Sequence, residues 1–384
     1  MATEGARTSV VVLVTSSFPI HNDGSEAAGS FVADLACALA SYYQVRVVAP
    51  GISTSYEYWC DGVEIYRFAS PEKPLSTLKP WRLIDALWIG RVLLGGQRAT
   101  NKAMRGGIVR AIALWGLPCG EWVRRSASKA RVPYTAWMLG SDVWTLGRIP
   151  LLRSMLRRVI RQADVAIADG YQLADDASRL ANARVGFLPT TRALQSCSSY
   201  PPRTFKPYRL LFLGRWHPNK GIDLLLDALD FLSESDWLSI ESIEIQGGGG
   251  LDRLVKDRIN KLVKECRPVI LGGYLSKSEA EDAISRADWI LIPSKIESIP
   301  VVYSDAMKLG RPIVCTPVGD LPRLVRSFGC GILSAKVDPQ SFALALRDAL
   351  HADASSFAKY TETAAKEFSL GHIANQLISS VVPE

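Results

Sequence analysis

Pro293-Ser294-Lys295-Ile296-Glu297-Ser298-Ile299-Pro300-Val301-Val302-Tyr303-Ser304-Asp305-Ala306-Met307 carries more of the fold than any other stretch of this chain. The apolar run 289–292 ahead of it reads as a buried strand. Pro300 stands where a first helical residue belongs, because a residue without an N–H loses nothing there. Residues 301–309 then read as a helix. A strand, a short polar loop and a helix in this order make half of a β-α-β unit, and so imply a parallel sheet covered by helices. Backbone N–H groups near Val301 and Val302 lack helical acceptors and, with the helix dipole, favour an anion. Glu297 in the loop and Asp305 on the helix are spaced to face one ligand. The plainer reading makes Glu297 a charge near a helix start and Asp305 a solvated side chain.

Working outward, the same alternation fills the chain. Runs 10–14, 45–48, 63–68, 108–114, 134–138 and 165–168 read as strands; 31–40, 83–94 and 151–161 read as helices. A second series follows, with strands at 210–213, 240–245, 269–271, 289–292 and 312–315. Its helices lie at 222–232, 251–264, 278–286 and 301–309, and the pattern is purely helical after Asp338. The 384 residues exceed what one core usually holds. The Ser- and Pro-rich stretch 195–208 has the composition of a linker between two doubly wound α/β domains. Such domains bind ligands at the C-terminal ends of their strands, which places the expected site between them.

A dinucleotide oxidoreductase is the obvious rival. The turn after the first strand reads Ser16-Ser17-Phe18-Pro19, without the glycines that fingerprint requires. Glycines 247–250 do lie between a strand and a helix, but Asp252 and Arg253 occupy the two possible places of the third glycine. The P-loop pattern is absent too. The histidines are His21, His217, His351 and His372, with no metal-ligand spacing, so no metal is expected. His217, within the loop after residues 210–213, reads as an exposed loop residue or a ligand contact.

The second informative piece is Leu213-Gly214-Arg215-Trp216-His217-Pro218-Asn219-Lys220-Gly221-Ile222. A strand runs into a loop bearing Arg215 and Lys220, then into a helix. Two cations and a helix N-terminus beside one crevice neutralise a diphosphate leaving group without a metal.

Together the two pieces resemble the family 4 retaining GT-B glycosyltransferases. Gly-Arg-x(4)-Lys-Gly before a helix is followed by Pro-Ser-x-x-Glu-x(7)-acid and Gly-x-Pro, ending here at Pro312. Val318-Gly319-Asp320-Leu321-Pro322 is similar to the family's Gly-Gly-x-Pro turn. Upstream, Phe18-Pro19, Ala28-Gly29-Ser30-Phe31-Val32, Gly140-Ser141-Asp142-Val143-Trp144 and the segment 163–170 resemble its opening loop, first helix, Gly-Ser-Asp segment and last N-terminal strand. The resemblance implies a GT-B fold, two Rossmann-like domains with a deep cleft between them. The acceptor-side domain would span 1–200, with the terminal helix 369–384 packed back onto it, and the donor domain 201–368. It further implies that Arg215 and Lys220 hold the diphosphate, Glu297 the sugar hydroxyls and Asp305 the ribose. Gly214 and the backbone of Ile299, Pro300 and Val301 would touch phosphate and sugar oxygens. Gly273, Tyr274 and Leu275 would frame the base, although a buried core aromatic is the competing reading of Tyr274. Gly29 would bring backbone close to the donor phosphates, and Ser141 and Asp142 would lie on the acceptor side.

Three positions depart from the family. Asp305 is one methylene shorter than the usual glutamate, Leu139 stands where many relatives carry histidine, and Arg323 replaces an acid. The implied activity is transfer of a sugar from a nucleoside diphosphate-sugar to a glycan or lipid-linked acceptor. Front-face displacement with retention would need no protein nucleophile. A nucleotide-sugar isomerase of the same fold, and a degenerate binding protein, are the other readings.

Composition supplies the setting. Hydrophobic content is 48% and charged content 22%, as in a soluble protein. The seven cysteines form no C-x-x-C pair; small buried hydrophobes in a reducing cytoplasm are the expectation. No basic leader opens the chain, and no apolar run reaches the ~18 residues of a membrane span. Net charge is +7 and concentrates between Lys79 and Arg161. There, sixteen Lys and Arg face only Asp85, Glu121 and Asp142, with Trp81, Trp88, Trp115, Trp122, Trp137 and Trp144 interleaved. That mixture suits the anionic inner face of a membrane. It suits equally the solvated faces of several helices, and less well a nucleic acid.

Overall fold

The computed structural model describes residues 9–20, 29–71, 78–194 and 201–379. His21, Ala28, Cys197, the first part of the expected linker and the last residues of the terminal segment lie outside them. The chain divides into two compact units, residues 1–192 with 370–384, and residues 193–369.

In unit 1, β1 (Val10–Val14), α1 (Ser30–Ala40), β2 (Gln44–Gly51), β3 (Tyr56–Cys60), β4 (Val63–Ala69) and α2 (Leu83–Ala103) come first. Then come β5 (Ile108–Leu114), α3 (Glu121–Ala130), β6 (Tyr134–Met138), α4 (Ser141–Trp144), α5 (Pro150–Gln162), β7 (Val165–Ala168), α6 (Tyr171–Ala181) and β8 (Gly186–Phe187). The sheet order is β3-β4-β2-β1-β5-β6-β7-β8, parallel except where β3 pairs antiparallel with β4. All five residues of β1, β6 and the four of β7 are buried. That is why unbroken β-branched and aromatic runs revealed them, as in any sheet covered on both faces. The edge strand β3 alternates exposed and half-buried residues and carried no such signal.

Unit 2 runs β9 (Tyr208–Arg215), α7 (Ile222–Leu229), α8 (Glu234–Trp237), β10 (Ile240–Gly248), α9 (Asp252–Lys264), β11 (Val269–Leu271) and α10 (Lys277–Arg286). It continues with β12 (Trp289–Ile292), α11 (Val301–Lys308), β13 (Ile313–Cys315), α12 (Leu321–Phe328), β14 (Gly331–Leu333), α13 (Pro339–His351) and α14 (Ala358–Glu367). The all-parallel order is β11-β10-β9-β12-β13-β14. The last helix, α15 (Leu370–Ile378), returns to unit 1, where Ile373, Ala374 and Leu377 share a core with Val32, Leu35 and Leu39 of α1.

Three expectations need correction. Helix α2 continues past residue 94 to Ala103, although Gly95 and Gly96 look like breakers. Gly96 is there for packing: a Cβ on it would lie 2.3 Å from the Trp122 indole of α3. The end of the expected linker belongs to unit 2. Asp288 accepts from the Arg203 N–H at 3.0 Å and the Arg209 N–H at 2.8 Å, and Tyr208 is buried at the start of β9. The cysteines are not uniformly buried. Cys119, Cys315 and Cys330 are, but Cys60 and Cys266 are exposed and Cys37 is half-buried. Cys37 lies off the buried seam of α1 and faces Cys60 on the edge strand, Sγ to Sγ at 2.9 Å.

Candidate active site

Strand order reverses twice, and both reversals carry the residues singled out above. In unit 2 the chain moves from β9 through β10 to β11, then returns to place β12 on the other side of β9. The loops leaving β9 and β12 are therefore neighbours at the C-terminal ends of the strands, where sheets of this topology take their ligands. Arg215 ends β9, exposed, with no carboxylate in ion-pair range among the described residues. Trp216, next to it, is buried and anchors the loop in the core. The His217 Nδ1 accepts the Asn219 N–H at 3.2 Å, capping a 3₁₀ turn over Pro218–Lys220. His217 thus shapes the loop that presents Lys220.

The two loops are fastened to one another. The Asn219 carbonyl accepts from the N–H groups of Lys295 (2.8 Å) and Ile296 (3.3 Å). Gly221, at φ +69°, lets the start of α7 press on the second loop; a Cβ there would lie 1.8 Å from the Pro293 oxygen. Lys295 pairs with Asp223 at 2.6 Å, and the Lys220 ammonium pairs with the Glu297 carboxylate. A third loop holds the second from behind. Gly319 (φ +53°) approaches so closely that a Cβ would lie 2.1 Å from the Glu297 carbonyl oxygen, and the Ser298 oxygen accepts the Asp320 N–H at 3.2 Å. Thr316 donates its hydroxyl to the Ser294 oxygen.

Beyond Glu297, Ile299 leads to Pro300, the N-cap of α11, which has no side-chain cap. The first bond inside the helix runs from the Tyr303 N–H to the Pro300 oxygen at 2.9 Å. Val301 and Val302 therefore begin the helix with N–H groups directed out of it, as an anion site requires. Asp305 is buried on the second turn, against the plainer reading of it as a solvated side chain.

On the far side of β9, glycines permit close stacking of backbone. A Cβ on Gly247 (φ +142°) would lie 1.9 Å from the Gly214 oxygen, and the Gly247 N–H donates to the Gly273 oxygen at 2.9 Å. Trp216 N–H donates to the Gly248 oxygen at 2.8 Å, and the Tyr274 ring covers Gly248. Tyr274 is 72% exposed, which removes the core-aromatic reading, and Leu275 beside it is half-buried.

Unit 1 has its own reversal between β1 and β5. Gly29, in the left-handed region at φ +76°, caps α1; a Cβ would lie 2.7 Å from the Ser17 oxygen. After β5, Trp115 adopts φ +71°, strained for a bulky residue, and the following Gly116 N–H donates to Asp142 at 2.6 Å. Ser141 is exposed, whereas Asp142 is fully buried and also accepts the Val143 N–H at 3.0 Å. Burial pushes its carboxyl up from the usual range, against those backbone donors. Asp142 therefore fixes the loop around Gly116. Leu139, where the family resemblance implied a histidine, is half-buried on the unit 1 core.

The family described as Glycosyl transferases group 1 matches residues 207–352, which include the β9, β10, β12 and β13 loops described above. The D-inositol 3-phosphate glycosyltransferase of Mycolicibacterium vanbaalenii is 30% identical over 185 residues, 44% of this chain and 39% of that relative's length. Sucrose-phosphate synthase from Thermosynechococcus elongatus superposes with a TM-score of 0.67 at 17% identity, over 96% of this chain and 97% of that one. HepE of Anabaena, solved in complex with UDP-glucose, gives 0.65 at 14%, covering 96% and 98%. The chain has the GT-B fold of these structures, and it spans less than half the length of the D-inositol 3-phosphate glycosyltransferase it matches.

In this GT-B fold the structure brings Lys220 and Glu297 into contact and holds Gly214, Arg215, Gly273 and Tyr274 along the same strand ends. Sequence reasoning gave no role to Thr316 or Asn219 and weighed glycines 247–250 only as a dinucleotide fingerprint. Only the glycine run carried a signal, and a nucleotide fingerprint was the wrong one to test it against. Among the described residues no three His, Cys, Asp or Glu side chains gather as a metal-binding group.

Proposed function

We propose that this chain transfers a sugar from a nucleoside diphosphate-sugar to a glycan or lipid-linked acceptor, with retention and without a protein-held metal. The observation that carries the reading is the Lys220–Glu297 pair at the unit 2 reversal, with Arg215 beside it and the uncapped start of α11 following. A cation and a carboxylate here divide a donor between them: Lys220 and Arg215 take the diphosphate, and Glu297 accepts from sugar hydroxyls. Tyr274 and Leu275 face the base, Asp305 the ribose, and the backbone of Ile299 to Val301 the phosphate and sugar oxygens. Support for the donor class comes from HepE, solved with UDP-glucose.

In the proposed step the acceptor oxygen bonds to the anomeric carbon on the face from which the diphosphate departs. The carbon–oxygen bond to phosphate breaks, and the departing oxygen takes the acceptor proton. Preorganised cations and helix N–H groups supply the stabilisation of leaving-group charge. The role belongs to polysaccharide or glycoconjugate synthesis in the cytoplasm, and the basic, tryptophan-bearing first unit suits peripheral contact with an anionic membrane.

The test is a thermal-shift series with UDP, GDP, ADP and TDP, with and without EDTA, on wild type and Lys220→Ala. Stabilisation by one diphosphate, unaffected by EDTA and lost in the variant, supports the reading and names the base. No stabilisation by any of them refutes it.

A further inference from the structure

The structure takes up many of the cations and tryptophans of the basic stretch and leaves one helix, with the residues just ahead of it, carrying both kinds of side chain exposed. Arg124 and Arg125 are taken by Glu121, Arg110 is buried, and Arg153, Arg157 and Arg161 donate to the carbonyls of Gly147, Leu180 and Ala181. Trp122 and Trp137 are in the core, and the Trp144 indole donates to Asp176 at 2.8 Å. Lys129, Arg131, Arg148 and Arg158 are exposed elsewhere, whereas α2 and the residues just ahead of it carry exposed cations together with a run of exposed large apolar side chains.

Helix α2 rests on its neighbours through Val92, Gly96, Thr100 and Ala103. Opposite that seam, Leu87, Arg91, Leu94 and Arg98 recur at helical spacing. Trp81, Leu83, Ile84 and Leu87 are each between 66% and 78% exposed, an apolar ridge at the N-terminal end. Toward the C-terminal end, Arg91, Arg98 and Lys102 line a groove of about 590 Å³ with Tyr66, Thr54 and Ser55. Lys102 lies over the Tyr66 ring at 5.7 Å. The carboxylates nearby are engaged: Glu57 on Arg67 and Glu64 on Arg46 at 3.4 Å, while Asp85 accepts the Lys79 N–H at 2.9 Å. No carboxylate pairs with Arg91, Arg98 or Lys102 among the described residues.

We infer that α2 is the membrane-contacting element of this chain, its apolar ridge entering the interface of an anionic bilayer and its cationic groove holding a lipid phosphate. The inference rests on the peripheral membrane contact proposed above and assigns it to named side chains. Charge complementarity selects the partner. Three unpaired cations beside hydroxyl donors suit a phosphodiester, and the adjoining ridge of Trp, Leu and Ile suits the acyl boundary beneath the headgroups. A nucleic acid would satisfy the cations but leave the ridge in water. No helix among the described residues is long and apolar enough to cross a membrane, so the contact lies in the plane of the interface.

The experiment is co-sedimentation of the whole chain with phosphatidylcholine vesicles, with and without a third of phosphatidylglycerol, at low and high salt. Wild type is expected to bind the anionic vesicles. Arg91→Gln/Arg98→Gln/Lys102→Gln should lose about fivefold for each cation, on the order of a hundredfold together. Leu83→Ser/Ile84→Ser/Leu87→Ser should lose the binding that survives high salt. Both variants alter exposed residues, and an unchanged thermal transition confirms that they are folded. Equal binding by wild type and both variants overturns the assignment to α2 while membrane contact stands. No binding by wild type, or binding to duplex DNA instead of vesicles, overturns both. Transfer to a water-soluble acceptor tests the glycosyltransferase reading independently of either result.

Discussion

The Lys220 ammonium rests on the Glu297 carboxylate, tying the loop after β9 to the loop after β12. The two side chains are 26% and 18% exposed, so their attraction is screened and stabilises the fold by at most about 1 kcal/mol. Lys220→Ala should therefore lower Tm by no more than about 4 °C. Its effect on sugar transfer should be far larger, about a hundred- to a thousandfold in kcat, as for loss of a group that stabilises developing charge. Glu297→Gln should likewise spare the fold and impair turnover. Melting curves beside initial rates check both; a rate loss no greater than the stability loss explains would remove Lys220 from catalysis.

Gly221 and Gly319 hold the same loop from two sides. A Cβ at either position meets backbone oxygen, at 1.8 Å and 2.1 Å respectively, in a left-handed conformation. Gly221→Ala and Gly319→Ala should each destabilise unit 2 by about 1–3 kcal/mol and weaken nucleotide binding together with it. Gly273→Ala, where a Cβ meets open space, is the control and should change stability much less. Denaturant unfolding and nucleotide titration read the difference.

Cys37 and Cys60 bring α1 and the edge strand β3 together with their sulfurs 2.9 Å apart. Diamide should oxidise them to a disulfide, each thiol giving up one hydrogen and the reagent taking both. Peptide mapping without reductant should find this crosslink before any involving the buried Cys119, Cys315 or Cys330. Recovery of both thiols unmodified after treatment would refute the pairing.

Glu121, at the start of α3, is buried with Arg124 at 2.8 Å and Arg125 at 2.6 Å. Burial alone pushes its carboxyl up, and the two guanidiniums outweigh it, holding the group below its ordinary value of 4.5. A depressed carboxyl binds fewer protons folded than unfolded. Its stabilisation is thus present above the ordinary value and is lost as pH falls through the lowered one. Glu121→Gln should cost unit 1 about 1–3 kcal/mol near neutrality and almost nothing in strong acid. Urea unfolding at both pH values checks the sign.

The strands buried on both faces and the two motif loops were legible from residue types alone. A covered parallel strand must be an apolar run, as Val165–Ala168 is, and the two cations and helix start of 214–222 stand in the residue order itself. Edge strand β3 and the full length of α2 were not legible. An edge strand has no buried face to impose a pattern, and the reason for Gly96 is a tryptophan far along the chain. Sequence also could not tell which of sixteen cations remain open, or that Asp142 and Asp305 are buried. Charge is a property of the residue and can be counted from the sequence. Whether that charge meets water, a partner or a backbone carbonyl depends on what the fold places beside it.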